Sequence, residues 1–258
     1  MTKSKLTTNK LTVAVSPRGI ASLTLSRPEK GNALDAEMLE GISAALERLS
    51  DDVQVRVIVL RGEGRHFCTG ADIAGIRIAD EANTERVSIA SICALLDSCP
   101  KPTIAVVHGG CLGGGLAIAA CCDAVLAETG AFFAIPEVRL GFAPTALMPF
   151  FLAACGPRFL RRHLLTGERF DAKCAAQIGL VSEVREAPDL EAALADLVES
   201  FLLAGPAAVS IAKSALHVAN VAKAQSATSH QAMIEEAKEG AASFREKRHP
   251  SWYPPASS

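Results

Sequence analysis

Tryptophan and tyrosine occur once each in 258 residues. Proteins that grip single-stranded nucleic acid set aromatic faces in a basic groove. Here 26 basic and 28 acidic residues leave a net charge of −2, with no basic cluster, so no nucleic-acid partner is expected. No secretory h-region follows the polar start MTKSKLTTNK, and a cytoplasmic location is expected. Eight cysteines are present but no C-x-x-C pair, so reduced thiols are expected and a metal site is not. Neither a G-x-G-x-x-G fingerprint nor a G-K-[ST] phosphate loop fits the glycine-rich stretch. The longest uncharged run, Pro102 to Cys122, is broken by glycines and His108. Its apolar piece Leu116–Cys122 falls far short of the roughly 18 residues of a membrane span. No repeat of fixed period is visible.

Apolar residues make up 49% of the chain, enough for a large core. The organising stretch is Cys111–Ala119, with Gly113, Gly114 and Gly115 in succession. Pro102–Val107 (PTIAVV) reads as a buried strand, broken by His108, Gly109 and Gly110. Leu116–Cys122 reads as helix, so the glycines fall where strand turns to helix. A helix start leaves backbone N–H groups unpaired and partly positive. Glycine lets another molecule come close to them. Such a place suits an anion, or an oxygen that becomes negative during a reaction. Tight packing of helix on sheet is the alternative reading of the same glycines.

Leu11–Val15 and Ile20–Leu25 read as a hairpin around Pro17-Arg18-Gly19. Asp35 reads as the N-cap of a helix to about Leu49. Val55–Leu60 (VRVIVL) reads as a strand that opens into a long loop, Arg61–Asp72. Further expected elements are a polar stretch at Arg77–Asn83, a helix over Thr84–Leu96, and short strands at Ala124–Leu126, Ala131–Ala134 and Leu180–Val184. Helices are expected over Leu147–Ala154, Arg158–Leu165 and Asp171–Ile178, then at about 189–204, 206–221 and 227–244. Strand and helix alternate through the first two-thirds, which predicts an α/β fold with parallel units. The last third is helical throughout.

Two glycine-containing junctions, Cys68–Ile73 and Gly113–Ala117, can each aim an N–H at one oxygen, the logic of an oxyanion hole. Glu137 follows a short apolar strand among apolar neighbours, a setting that raises a carboxyl pKa towards neutrality. Helix capping, or a pair with Arg139, is the alternative for it. His66 adjoins the first junction and is read as an exposed loop residue; Cys68 has nothing nearby to activate it.

Taken in order, Arg27-Pro-Glu-Lys-Gly-Asn-Ala-Leu34, Phe67-Cys-Thr-Gly-Ala-Asp-Ile73, Leu112-Gly-Gly-Gly115, Pro136-Glu137 with Leu140-Gly141, Leu165-Thr-Gly-Glu-Arg-Phe-Asp-Ala172 and Ile178-Gly-Leu-Val181 form a specific set. This set resembles the enoyl-CoA hydratase/isomerase (crotonase) family from about Lys10 to Trp252. The resemblance implies a crotonase-like spiral of ββα turns, residues 10–188, holding the CoA-ester site. It implies a helical C-terminal trimerisation segment, residues 189–258, and a homotrimer or dimer of trimers. An acyl-CoA thioester is the implied substrate, as in fatty acid metabolism, with coenzyme A part of that substrate and no separate cofactor.

Residue by residue, the implied oxyanion-hole donors are Ala71 and Gly114, and the implied acid/base is Glu137. Ala33, Ala71, Asp72, Ile73 and Gly114 match the family's substrate-binding backbone, Asp72 chiefly by fixing its loop. Lys30, Phe244 and Lys247 are weaker candidates for the nucleotide end. Ile76, Ile78, Phe142 and Leu147 are expected to shape the acyl pocket. One departure stands out: the two-glutamate hydratases carry a first Glu where this chain has Ala117. That leaves one carboxylate, sufficient for double-bond isomerisation, while Gly141–Phe150 resembles hydratases that also lack the first Glu. Hydration is the first expectation and isomerisation the second. A non-catalytic acyl-CoA scaffold is a third, against which the intact Glu137 stands.

Overall fold

A computed structural model describes residues 6–8, 10–72, 87–216 and 227–255. The chain opens with three antiparallel strands, β1 (Leu6–Thr8), β2 (Leu11–Val15) and β3 (Ile20–Leu25). Helix α1 (Ala36–Asp51) follows, started by Asp35, whose carboxylate accepts from Met38 N–H at 3.0 Å. Next come β4 (Val57–Gly62), α2 (Ile89–Ser98), β5 (Thr103–Val107), β6 (Gly110–Leu112) and α3 (Gly114–Ala120). β7 (Ala124–Glu128), β8 (Phe132–Ala134), α4 (Met148–Cys155), α5 (Pro157–Thr166), β9 (Phe170–Asp171), α6 (Ala172–Gln177) and β10 (Glu183–Arg185) continue the chain. Three helices close it: α7 (Leu190–Leu203), α8 (Pro206–Leu216) and α9 (Ala227–Glu246).

Seven strands form the main sheet in the order β1-β2-β3-β4-β5-β7-β10, parallel from β3 onward. A smaller sheet has the order β6-β8-β9. After β5 the chain steps into the small sheet as β6, runs through α3, returns as β7, and steps out again as β8. Residue Cys68 bridges Cys111 of β6 in the same sense, after β4 and before α2. Each turn is therefore strand, strand, helix, and the spiral of ββα turns expected from the sequence is the fold observed.

The central strands are buried on both faces. Ile58, Leu60, Ala105 and Val107 point into the core under α1, α2 and α3, whereas Val57, Val59, Ile104 and Val106 meet Leu190, Leu194, Val198 and Leu202 of α7. Such strands read as unbroken apolar runs, and that is how VIVL and TIAVV read.

Two expectations need correction. Gly110 does not end strand structure: Gly110–Leu112 pairs with β8 as β6. A three-residue strand among glycines has too few side chains to show a period. Helix α2 begins at Ile89, where Ser88 and Ser91 cap each other's backbone N–H; of the expected Thr84–Leu96 helix, residues 84–86 lie outside the described residues, as does Arg77–Asn83. Smaller shifts move the VRVIVL strand to Val57–Gly62 and the expected Leu180–Val184 strand to Glu183–Arg185. The expected 206–221 helix is described only to Leu216. Among the described residues no single helix is long and apolar enough to cross a membrane.

Helix α8 is tied to the core by a charge the sequence did not flag. Lys213, buried, donates to Asp123 Oδ2 at 2.6 Å, to Lys101 O at 3.1 Å and to Leu96 O at 3.3 Å. Thr103 gives the same carboxylate oxygen both its N–H and its hydroxyl, at 2.7 and 2.8 Å. Removing one partner of a buried pair strands the other. Lys213→Met is expected to lower unfolding stability by about 3 kcal/mol in urea titration, the low end of that class because Asp123 keeps some water contact. A loss below about 1 kcal/mol, the level of an exposed pair, would contradict this.

Candidate active site

The first of two converging segments is Cys68–Asp72. It runs between the 31–34 loop and β6. Cys68 N–H donates to Gly110 O at 3.2 Å and Leu112 N–H to Cys68 O at 2.9 Å on one side. On the other, Leu34 N–H donates to Gly70 O at 2.8 Å and Asp72 N–H to Leu34 O at 2.9 Å. Backbone groups alternate sides along an extended segment, so these two bonds turn Ala71's own N–H away from Leu34. Gly70 makes the approach to α3 possible. Its φ is 93°, and a Cβ there would stand 3.0 Å from Leu112 O and 3.5 Å from Gly114 N.

The second segment is the start of α3. Gly113 is its N-cap at φ 49°, and Gly114 its first residue, whose amide has no intrahelical partner. Among the described residues neither Ala71 N–H nor Gly114 N–H has an acceptor. The structure thus brings the two expected donor segments side by side.

Glu137 lies over Gly113. It opens a short 3-10 turn, Glu137–Leu140, that ends at Gly141 with φ 78°. A Cβ on Gly113 would fall on Glu137 Oε1, with Glu137 Cδ 3.1 Å away. Glu137 Oε2 is buried and has no hydrogen-bond partner. Burial pushes its carboxyl above the ordinary carboxylate range, opposed only by its own backbone N–H. The Arg139 alternative does not hold: Arg139 Nε donates to Thr166 O at 2.8 Å, and its chain packs on Gly167. Pro136, not a side-chain acceptor, starts the turn.

A raised carboxyl pKa has a consequence for stability. Between the ordinary value and the raised one, the folded state holds a proton that the unfolded state has lost, so stability falls as pH rises through that window. Glu137→Gln removes the penalty. Its melting temperature is expected to exceed that of the parent at pH 8 and to match it near pH 4; an equal difference at both pH values in thermal scans would contradict the assignment.

The remaining candidates divide. Ala117 is fully buried one helical turn beyond Gly113, its N–H bonded to Gly113 O at 3.0 Å, and so on the same helix face. Asp72 pairs with Arg27 at 2.7 Å, and Arg27 also donates to Ala33 O at 3.0 Å, so both expected binding-loop residues are held by one guanidinium. Ile73, Ile76 and Ile78 lie outside the described residues, as does the side chain of Phe244. Lys30 and Lys247 are exposed, Phe142 is 37% exposed, and Leu147 belongs to the core.

Cys68 is fully enclosed, with its thiol pushed up to about 12 by burial and donating to Asn32 O at 3.2 Å; it is inert packing. His66 accepts from Gly110 N–H through Nδ1 at 2.9 Å, and burial, then Arg65, His108 and Arg169, lower its pKa. It is a neutral brace for β6 rather than an exposed loop residue.

Asn32 escaped the sequence reading. Fully buried at φ 56°, it donates to Glu63 O, His66 O and Phe67 O and accepts from Arg27 N–H at 2.9 Å, clamping the 27–34 loop to the stretch that leads into the first donor segment. Its signal was Gly31-Asn32, a pair suited to left-handed backbone. Among the described residues, no three His, Cys, Asp or Glu side chains converge as a metal-ion site.

Paired strands stepping between two sheets, with a glycine-started helix against the second, define a crotonase-fold protein. A model of the enoyl-CoA hydratase/isomerase family matches residues 16–254, and the chain belongs to that family. The 2,3-dehydroadipyl-CoA hydratase of Escherichia coli (strain K12) is 33% identical over 239 residues, 89% of this chain and 93% of that protein. The enoyl-CoA hydratase ACTT6 of Alternaria alternata is 31% identical over 196 residues, 76% of this chain; the chain spans 65% of that protein's length. The crystal structure of an enoyl-CoA hydratase from Shewanella pealeana superposes with a TM-score of 0.84 at 32% identity, covering 94% of this chain and 96% of that one.

Proposed function

We propose that this protein is a hydratase-like lyase that adds water reversibly across the double bond of a 2-enoyl-CoA thioester. The observation that carries the reading is Glu137: a partly buried carboxylate whose enclosed Oε2 has no partner, lying over Gly113 one residue before the unpaired N–H of Gly114. The thioester oxygen accepts from Ala71 and Gly114 N–H. Ionised Glu137 takes a proton from water as the water oxygen bonds to C3, and the double-bond electrons move onto the thioester oxygen as an enolate. The two N–H groups hold that charge where it develops, and the adjacent helix start adds to them. Neutral Glu137 then returns its proton to C2. Its raised pKa favours both halves of the exchange, because a carboxyl moved towards the operating pH both takes and returns a proton more evenly. Two relatives named as hydratases support the direction of the reading.

Ala117 favours a second reading. With no second carboxylate on α3 to hold water, Glu137 alone can move a proton from C2 to C4 of a 3-enoyl-CoA, which is isomerisation through a dienolate whose oxygen the same two N–H groups would hold. Both readings take coenzyme A as part of the substrate, and both fit a trimer or a dimer of trimers. The test is incubation with crotonyl-CoA. Loss of the conjugated enoyl-thioester absorbance with appearance of a 3-hydroxyacyl-CoA mass supports hydration. Formation of crotonyl-CoA from its 3-enoyl isomer, with no hydrated product, supports isomerisation.

A further inference from the structure

The side-chain spaces of two consecutive glycines are filled by two residues from elsewhere in the chain. At Gly113 the three atoms nearest a hypothetical Cβ all belong to Glu137. At Gly114 all three belong to Ile89: Cδ1 at 2.5 Å, Cγ2 at 3.3 Å and Cγ1 at 3.5 Å. The proposed acid/base and Ile89 thus flank the helix start on adjacent residues.

Ile89 is also held firmly. It is the first residue of α2, directly after the Ser88–Ser91 capping box, in which Ser91 N–H donates to Ser88 Oγ at 3.1 Å and Ser88 N–H to Ser91 Oγ at 2.9 Å. Ile92, Cys93 and Leu96 bury the same helix in the core, on the face Ile89 shares by its spacing. Ile89 is itself only partly buried, packed against the core cluster that includes α3. A β-branched side chain at a helix position has little rotamer freedom.

We propose that Ile89 is a specificity-determining residue, which limits bulk on the carbon bonded to the thioester carbonyl. This rests on reading Gly114 N–H as a donor to that carbonyl. An oxygen held by Gly114 places its carbonyl carbon, and the next carbon along the acyl chain, within reach of both walls. Glu137 must face that next carbon to exchange its proton. The Ile89 side chain then occupies the room that a branch there would need. The site therefore takes straight acyl groups in preference to those with a methyl at C2.

Two saturated, unreactive esters probe this without turnover: butyryl-CoA and 2-methylbutyryl-CoA, which differ only in the methyl at C2. Calorimetric titration of the parent is expected to favour butyryl-CoA. One methyl group in an apolar pocket discriminates by about 10-fold or more. Ile89→Ala is expected to reduce the preference by about that factor, with Ile89→Val, which loses only the terminal methyl, falling between. A preference unchanged in both variants, or a parent that binds the two esters equally, would overturn the assignment to Ile89. Binding of both esters with no turnover of any enoyl-CoA would overturn the catalytic reading and leave Ile89's role standing. No binding of either ester would overturn both.

Discussion

Glu137→Gln lowers kcat for the proposed reaction by about a hundred- to ten-thousandfold, the range for loss of a positioned acid/base, and leaves the affinity for a saturated acyl-CoA near that of the parent. Gln keeps the shape that packs on Gly113 and gives up only the ability to hold and return a proton. Helix α3 carries no acidic residue, so no other acid on that helix substitutes for it. Both hydration and its reverse start from ionised Glu137. Activity of the parent should therefore rise with pH through Glu137's pKa, and because burial raises that pKa, the acid limb of kcat/KM lies above the ordinary carboxylate range. Steady-state rates across pH, with ligand titration of the variant, test this. A limb at the usual carboxylate value, or a variant with parental kcat, would remove Glu137 from the chemistry.

The second large effect comes from deleting a single backbone donor. Gly114 is the first residue of α3, the helix position where proline fits because its amide has no intrahelical acceptor. The obstacle is local: a Cβ at 114 meets Ile89 Cδ1 at 2.5 Å, the flexible end of a side chain. In an Ile89→Ala background, Gly114→Pro removes the N–H while the helix stays, and Gly114→Ala in the same background keeps the N–H and controls for added bulk. Pro is expected to lower kcat about 100- to 1,000-fold below the Ala control, the usual cost of one oxyanion-hole donor. Circular dichroism should show both folded alike. Equal kcat for the two would mean that Gly114 N–H does not carry the developing charge.

Much of this arrangement could be read from the sequence where the signal is local. Asp35 and Asp171 start helices as their side chains predict, accepting from Met38 and Cys174 N–H. The doubly buried strands β4 and β5 announce themselves as apolar runs. Glu137 was singled out because Pro136-Glu137 sits in an ordered set of motifs, and its separation from Arg139 is a matter of tertiary placement. What was missed is non-local. Ile89 meets Gly114 across the α2–α3 packing, and Lys213 reaches Asp123 from a helix whose other residues gave no hint of a buried charge. The three residues of β6 show no period of their own and become a strand through pairing with Phe132–Ala134, with Cys68 bridging Cys111 on the other side.

Products made in water enriched in heavy oxygen test the central claim most directly. Crotonyl-CoA and a 3-enoyl-CoA are each incubated with the protein, the reactions are stopped, and the acyl-CoA masses are read. Hydration through Glu137, with the enolate held at Ala71 and Gly114, predicts one heavy oxygen in a 3-hydroxyacyl-CoA formed from crotonyl-CoA. A shifted double bond carrying no label, with crotonyl-CoA otherwise unchanged, would contradict hydration and assign the site to isomerisation.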